Sequence, residues 1–163
     1  MNISFSDRNI KPASVSQSST FSWGGVPYVA ERAIDGNMGT QSHTNCAWNT
    51  DIWYKMELGA VYCFPEIIIV QSHIGWYSYR MQDLKVLLVD GSAGTEHLCG
   101  TFRVNRVATI AGQTHSIPCD ACGNQIKLLV RHDQREYPKS REWEQTQPAC
   151  IHMWEIAALQ TGS

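Results

Sequence analysis

The sequence predicts an all-β protein, an antiparallel β-sandwich of the jelly-roll type. Its apolar segments are short and separated by turn residues, whereas helices would show apolar residues recurring three and four positions apart. One segment, residues 84–89, stops at Asp90-Gly91, a dipeptide that favours a tight hairpin turn. About eight short strands in two packed sheets would account for such a chain.

In chain order, the clearest predicted strands span residues 53–58, 66–71, 84–89, 126–130 and 151–159. The first alternates polar and apolar residues before Gly59, and the second is a continuous apolar run, which is typical of a buried strand. Only residues 27–34 look briefly helical, and they end before the turn Asp35-Gly36-Asn37. Two stretches are predicted loops: residues 72–82, rich in aromatics, and 133–148, rich in charge.

Length and composition exclude several classes of protein. The 163 residues match the common size of one domain, so a single domain over residues 1–163 is expected. Lys and Arg number 13 against 15 Asp and Glu, a net charge of −2, which argues against a nucleic-acid partner. The longest apolar run, residues 67–70, is too short for a membrane span.

The motifs of common enzymes are missing from the sequence. It contains no G-x-S-x-G, no phosphate-cradling glycine loop and no H-E-x-x-H. His132-Asp133 and the pair Glu142 and Glu144 could act as acid–base groups, but they lie in a charge-rich loop where carboxylates usually face solvent. The sequence therefore predicts a protein that is not an enzyme.

Six cysteines raise two alternatives, a disulfide framework and a metal or redox site. Their even number favours disulfides and hence an extracellular setting. The competing interpretation rests on the C-x-x-C spacing of Cys119 and Cys122, but a structural zinc site needs four ligands and no second such pair follows. The pairing itself cannot be derived from the number of cysteines.

Read in order, several landmarks match one known family. They are residues 13–20, Ala33-Ile34-Asp35-Gly36-Asn37, Cys46, residues 53–59, the strand 67–70, Tyr79-Arg80-Met81 and a final Trp154-Glu155-Ile156. Over residues 9–159 the chain resembles the F-type lectins, or fucolectins, which are jelly-roll domains related to the discoidin-like domains of coagulation factors. The resemblance implies an extracellular, non-enzymatic recognition protein that binds fucose and holds a structural calcium ion.

The resemblance also implies the calcium ligands. The expected side-chain ligands are Asp35, Asn37 and Glu155, with Asn45 where the family often has a serine, and the expected backbone ligands are the carbonyls of Arg32 and Trp154. Calcium takes six to eight oxygens, and two carboxylates nearly neutralise its charge. The alternative is that residues 35–37 form only a tight turn.

The sugar pocket implied by the resemblance departs from the family's pattern. The family uses a histidine shortly after the cysteine of the calcium loop, and the motif R-x-D-x₄-R. Here Arg80 keeps the second arginine, His73 and Gly75 replace the first arginine and the acid, and Trp48 stands at the histidine's position unless His43 reaches in. The expected sugar-binding residues are Trp48, His73, Trp76, Tyr77 and Arg80.

The aromatic residues of this loop allow two interpretations. Tryptophan and tyrosine suit both the C–H faces of sugars and the centres of protein interfaces, and Arg80 can donate two parallel hydrogen bonds. Alternatively, Tyr77 or Tyr79 turns inward and fills the end of the sandwich. With fewer polar donors, sugar binding should be weaker and broader than in the family.

By the same resemblance, Cys99 should pair with Cys119, and Cys46 can pair with Cys150, which leaves Cys63 with Cys122. The predicted function is an extracellular, carbohydrate-binding domain, secreted or part of a larger ectodomain, with structural calcium and a divergent fucose pocket. Its partners would be fucose- or galactose-type glycans, and it could form a homo-oligomer. The alternative is a module of the same fold that has lost its sugar site and binds a protein.

Overall fold

The structure is a computed structural model that describes residues 9–72, 80–102, 112–134 and 148–159. Within these residues the strands are β1 (Ser14–Gln17), β2 (Ser22–Trp23), β3 (Val26–Pro27), β4 (Ser42–His43), β5 (Ile52–Gln71), β6 (Leu84–Asp90), β7 (Thr95–Phe102), β8 (Thr114–Val130) and β9 (His152–Leu159). Two short 3-10 helices, Ala30–Ile34 and His132–Gln134, complete the described elements. None of the described helices has the length and apolar character needed to cross a membrane.

Two long antiparallel strands organise the sheet. The strand order is β4-β9-β5-β8-β6-β7, and β1 pairs with the first part of β5. Strand β5 has 20 residues, and its pairing with β8 runs from Ile52 opposite Val130 to Val70 opposite Thr114. Two register shifts interrupt that pairing, between Glu57 and Tyr62 and between Phe64 and Glu66. Such bulges bend a strand, so β5 and β8 can each contribute to both halves of the fold.

One core lies between the two halves. From the first half of β5, Tyr54 and Met56 are buried in it, and from the second half Ile67 and Ile69 join the same cluster. Alternate residues of a strand face opposite sides, so both halves direct every second side chain into this core. The folded-over sheet confirms the predicted all-β sandwich.

The predicted strand boundaries were only partly correct. The segments 53–58 and 66–71 belong to one strand, because the chain passes through Gly59 at φ 81° and through Pro65 without ending its pairing. Pro65 lies at the second register shift, where a missing backbone N–H does not break the ladder. The predicted hairpin after residues 84–89 is confirmed: Asp90 Oδ1 accepts the N–H groups of Ser92 (3.0 Å) and Ala93 (3.2 Å) between β6 and β7.

Three disulfides link the described strands and loops: Cys46–Cys150, Cys63–Cys122 and Cys99–Cys119. These are the pairs expected from the resemblance. Cys119 and Cys122 each bond to a partner on another strand, so their C-x-x-C spacing marks neither a zinc site nor a redox pair. Cys46–Cys150 joins the loop after β4 to the residues before β9 and closes the largest separation in sequence, 104 residues.

Gly123 lies where β8 passes closest to β6, and this contact generates a prediction for stability. A Cβ atom at Gly123 would lie 2.6 Å from the Val89 carbonyl oxygen and 2.7 Å from Leu88 Cγ. Overpacking of this kind costs about 1–3 kcal/mol, so Gly123→Ala should lower the free energy of unfolding by that amount in a denaturant titration. Gly91→Ala is the matched control, because its Cβ would lie 3.7 Å from Asn124. Equal losses for both variants would contradict the close approach.

Candidate functional site

A buried carboxylate pair lies where the first 3-10 helix meets β9. Glu155 on β9 is 3% exposed, and its Oε1 has no hydrogen-bond partner among the described residues. Burial, together with the contacting and negatively charged Asp35, raises the pKa of Glu155 to about 8, although the N–H groups of Gly36 and Asn37 donate to it. Two carboxylates in contact need a cation or a shared proton to remain stable together.

The loop after the helix holds Asp35 in place. Asp35 Oδ1 accepts the N–H of Asn37 (2.8 Å), and Oδ2 accepts the hydroxyl of Thr40 (2.5 Å). Gly36 between them adopts φ 72°, which favours glycine. Residues 35–37 therefore do form a tight turn, and that turn also presents a carboxylate to Glu155.

The first 3-10 helix is anchored to the core by a buried hydrogen bond. The buried Tyr54 hydroxyl donates to the Ala30 carbonyl oxygen at 2.8 Å, and burial raises the pKa of this phenol. The helix spans Ala30–Ile34 and ends with Asp35 as its C-terminal cap. The position of the helix therefore determines where the Asp35 carboxylate lies. Arg32 lies in the last turn of this helix, where carbonyl groups lack partners from the helix.

A bulge in β9 turns Glu155 toward this loop. Val70 pairs with Glu155 but Gln71 pairs with Met153, so Trp154 is the extra residue. Met153 before the bulge and Ile156 after it both lie in the core, although residues three apart on a regular strand face opposite sides. The bulge therefore changes which residues of β9 face the core. Trp154 packs with a smaller cluster on the other side of the sheet, and its backbone lies next to Glu155. Bulges of this kind commonly redirect side chains at functional sites.

The structure does not bring Asn45 to the carboxylate pair. Ser42 pairs with Met153, and Thr44 N–H donates to the Ile151 carbonyl (3.0 Å), so the chain runs away from Glu155 after Thr40. Asn45 is exposed, and its N–H donates to Ser19 Oγ at 2.9 Å. At about 3.3 Å per residue, it lies roughly 13 Å or more along β9 from Glu155. Thr40, by contrast, donates its hydroxyl to Asp35 Oδ2.

A second group of polar residues surrounds His43 on β4. His43 is 4% exposed, and its ring centroid lies 4.8 Å from that of Phe21 and 5.3 Å from that of His152. Burial lowers the pKa of His43, and the positive charge of Arg80 lowers it further. The Nδ1 atom lies 2.5 Å from the Thr44 carbonyl oxygen, which can only accept. Nδ1 therefore carries the proton when the imidazole is neutral.

Arg80 is tied to the same end of the molecule. Its carbonyl oxygen accepts the N–H of Cys150 at 3.2 Å, and Cys150 is bonded to Cys46. Trp48 follows the bridge between Ala47 and Ala149, and its side chain is 51% exposed. The disulfide thus brings an arginine, an exposed indole and the His43 cluster to one end of the sandwich.

Three of the expected sugar-binding residues, His73, Trp76 and Tyr77, lie outside the described residues. Of the two alternatives for the histidine position, His43 is buried on β4 opposite His152, whereas Trp48 is exposed. Thr40 is a polar residue near the expected calcium ligands that sequence reasoning did not name. Its signal was a hydroxyl five residues after Asp35, within reach of the Asp35-Gly36-Asn37 turn.

Known proteins match this chain in fold rather than in sequence. No protein-family profile and no curated protein matches it. The lectin domain of lectinolysin, determined with the Lewis B antigen, matches with a TM-score of 0.64 and 18% identity over 91% of this chain and 93% of its own. A fucose-binding module of Streptococcus pneumoniae matches with a TM-score of 0.64 and 20% identity, over 94% of this chain and 95% of its own.

A fucolectin from the serum of striped bass, Morone saxatilis, gives a TM-score of 0.63 at 17% identity. The match covers 91% of this chain but 45% of the fucolectin, so the chain spans less than half of that protein. Identities this low establish the fold alone. The chain has the β-sandwich fold that F-type lectins share with discoidin-like carbohydrate-binding modules, as the resemblance implied.

Proposed function

We propose that this chain is an extracellular carbohydrate-binding domain, stabilised by one calcium ion, and not an enzyme. The observation that carries the proposal is that Arg80, bonded to Cys150, and the buried His43, three residues before Cys46, lie at the same end of a lectin-like sandwich. Strand β4, which carries His43, follows directly after the loop that carries Asp35. The proposed sugar pocket and the proposed calcium site are therefore connected by one short segment of chain. Three disulfides support an oxidising, extracellular setting.

The residues around Glu155 fit a calcium ion. Hard cations take oxygen ligands, and this site offers the carboxylates of Asp35 and Glu155 and the side-chain oxygens of Asn37 and Thr40. The orphaned Glu155 Oε1 is the atom that most needs such a partner. The carbonyls of Arg32 and Trp154 are the proposed backbone ligands. A bound cation would neutralise the carboxylate pair and tie the loop to β9.

The sugar pocket would use complementary polar atoms. The Arg80 guanidinium can donate to two adjacent hydroxyls, and the His43 imidazole is the nearby polar group that we assign to the same pocket. The exposed Trp48 indole provides an apolar face at the rim of the pocket, and the remaining contacts are assigned to His73, Trp76 and Tyr77. With one arginine in place of two, the domain should bind fucose- or galactose-type glycans weakly and broadly.

An alternative function, protein adhesion, is favoured by one specific feature. Trp23, at the tip of the β2–β3 hairpin, is 72% exposed, and its neighbour Val26 is 47% exposed. Exposed tryptophans are enriched at the centres of protein interfaces. Phe21 and Tyr28 connect this hairpin to His43, so a protein partner would contact the same end of the sandwich.

The calcium proposal predicts that the effect of Glu155→Gln on stability changes sign with the metal. Without calcium, the raised pKa of Glu155 means that the wild type loses stability as the pH rises from about 4.5 to 8. In EDTA at pH 8, Glu155→Gln should therefore be more stable than the wild type. Calcium stabilises the wild type by mass action and the variant less, because the variant lacks one ligand carboxylate, so saturating calcium should reverse the order.

Chemical denaturation at pH 5 and pH 8, with EDTA or with calcium, measures this reversal. Glu96→Gln is the control, because Glu96 is exposed on β7 and should respond to neither condition. The same order of stabilities with and without calcium would reject the site.

The sugar proposal predicts that Arg80 carries most of the binding. A wild-type affinity near millimolar corresponds to roughly −4 kcal/mol, and loss of a charged donor costs about 1.5–3 kcal/mol, so Arg80→Ala should nearly abolish binding. Arg80→Lys should retain part of it, because lysine keeps the charge but not the paired donors. Lys11→Ala, which removes an exposed cation outside both sites, should bind as the wild type does.

Calorimetric titration with fucosylated and galactosylated oligosaccharides measures these affinities, and thermal melting confirms that each variant is folded. Wild-type binding by Arg80→Ala would place the sugar site elsewhere. Failure of the folded wild type to bind any of the sugars would reject the lectin function in favour of protein adhesion.

A further inference from the structure

A second groove lies on the outer face of the sheet, where β5 begins and β8 ends. Its volume is about 660 Å³, within the usual range for a ligand site. Its lining includes Asp51, Trp53, Lys127, Leu129, Arg131 and His132. We call it the Trp53 groove. Neither Arg80 nor His43 contributes to it, so it is separate from the proposed sugar pocket.

The alternation of two strands creates this groove. Leu128 and Val130 on β8 point into the core, so Lys127, Leu129 and Arg131 share the outer face. Trp53 pairs with Leu129, and its own neighbours in sequence, Ile52 and Tyr54, are buried in the core. An indole and a row of long side chains therefore line one continuous outer surface.

The positive charge on this surface is not fully compensated. Lys55 and Lys127 lie directly opposite each other, an arrangement in which like charges repel. The Lys55 Nζ atom lies 4.3 Å from the centroid of the Trp53 ring. Among the described residues, no carboxylate pairs with the Lys127 ammonium group.

The carboxylates near the groove have other partners or lie at its edge. Asp51 Oδ1 accepts the backbone N–H of His132 (3.1 Å) and is 2.9 Å from its Nδ1 atom. Asp133 is 3.5 Å from Arg131 Nε. Glu96, on β7, also lines the groove and, within the described part of the chain, forms no ion pair with Lys127. An anion placed over Lys127 would therefore find an available cation.

The Asp51 and His132 pair can act as a fixed polar contact. Two hydrogen bonds hold the ring to the carboxylate, and no described residue engages the second carboxylate oxygen or His132 Nε2. A sugar hydroxyl can donate a hydrogen bond to this Asp51 oxygen, and a hydroxyl can also form a hydrogen bond with His132 Nε2. The groove thus offers three kinds of group that an acidic sugar needs. The flat indole suits the apolar face of the sugar ring, the Asp51 and His132 pair suits its hydroxyls, and the Lys127 ammonium group suits its carboxylate.

We propose that the Trp53 groove is a second carbohydrate site, which binds a carboxylate-bearing sugar residue of an acidic oligosaccharide. Lys127 pairs with the carboxylate, Trp53 contacts the C–H face of the ring, and the Asp51 and His132 pair engages its hydroxyls. The site goes beyond the proposed calcium-stabilised lectin pocket, and it operates whether or not that pocket binds fucose.

The test uses a trigalacturonate and its fully methyl-esterified form, which keeps the sugar skeleton but removes the charges. Titrations of the full chain are followed by NMR through the indole N–H signal of Trp53, assigned with Trp53→Phe. The acid form should bind about tenfold more tightly than the ester at low salt, and this preference should shrink as the ionic strength rises. Lys127→Gln should lower the affinity for the acid to that for the ester.

Two controls separate this site from the first. Lys11→Gln, which removes a distant exposed lysine, and Arg80→Ala should both bind trigalacturonate as the wild type does. Equal affinities for acid and ester, or full binding by Lys127→Gln, would overturn the proposal. Loss of binding in Arg80→Ala would overturn it too, by assigning the acid to the first pocket. Fucosylated oligosaccharides, titrated in parallel into Lys127→Gln, report on the first pocket alone.

Discussion

The contact between the buried carboxylate of Glu155 and the carboxylate of Asp35 is the constraint on which this end of the molecule depends. Burial of an uncompensated charge is costly, and here two acids share one site. The bulge at Trp154, the tight turn at Gly36 and the hydroxyl of Thr40 all serve to bring these acids together. The calcium ion that we propose would convert this repulsion into a clamp between the loop and the last strand.

The proposed sugar pocket follows from the same clamp. Strand β4 leaves the Asp35 loop, pairs with β9 and carries His43 to the neighbourhood of Arg80. At the other end of this short pairing, the Cys46–Cys150 disulfide holds the chain, and Cys150 donates to the Arg80 carbonyl. The proposed metal site and the Cys46–Cys150 disulfide would thus lie on either side of the two paired residues of β4, and would leave the pocket little freedom to rearrange on binding.

Local patterns in the sequence were sufficient for the fold class and the hairpin at Asp90, whereas the approach of Asp35 to Glu155 was expected only from the family resemblance. Local patterns were not sufficient where the position of a residue depends on the register between strands that are distant in sequence. The choice between His43 and Trp48 stayed open, because the position of His43 depends on the pairing of β4 with β9, more than a hundred residues away in sequence. The continuity of β5 was missed because Gly59 and Pro65 are ordinary signals for a strand end, yet here they lie within a bent strand.

Calorimetric titration of calcium into the EDTA-treated protein tests the central claim most directly, with Thr40→Val and Asn45→Ala as the paired variants. The account predicts one calcium ion per wild-type chain. Thr40→Val should bind about tenfold more weakly, a change of roughly 1.4 kcal/mol, and Asn45→Ala should bind as the wild type does. Absence of calcium binding to the wild type, or a larger loss for Asn45→Ala than for Thr40→Val, would contradict it.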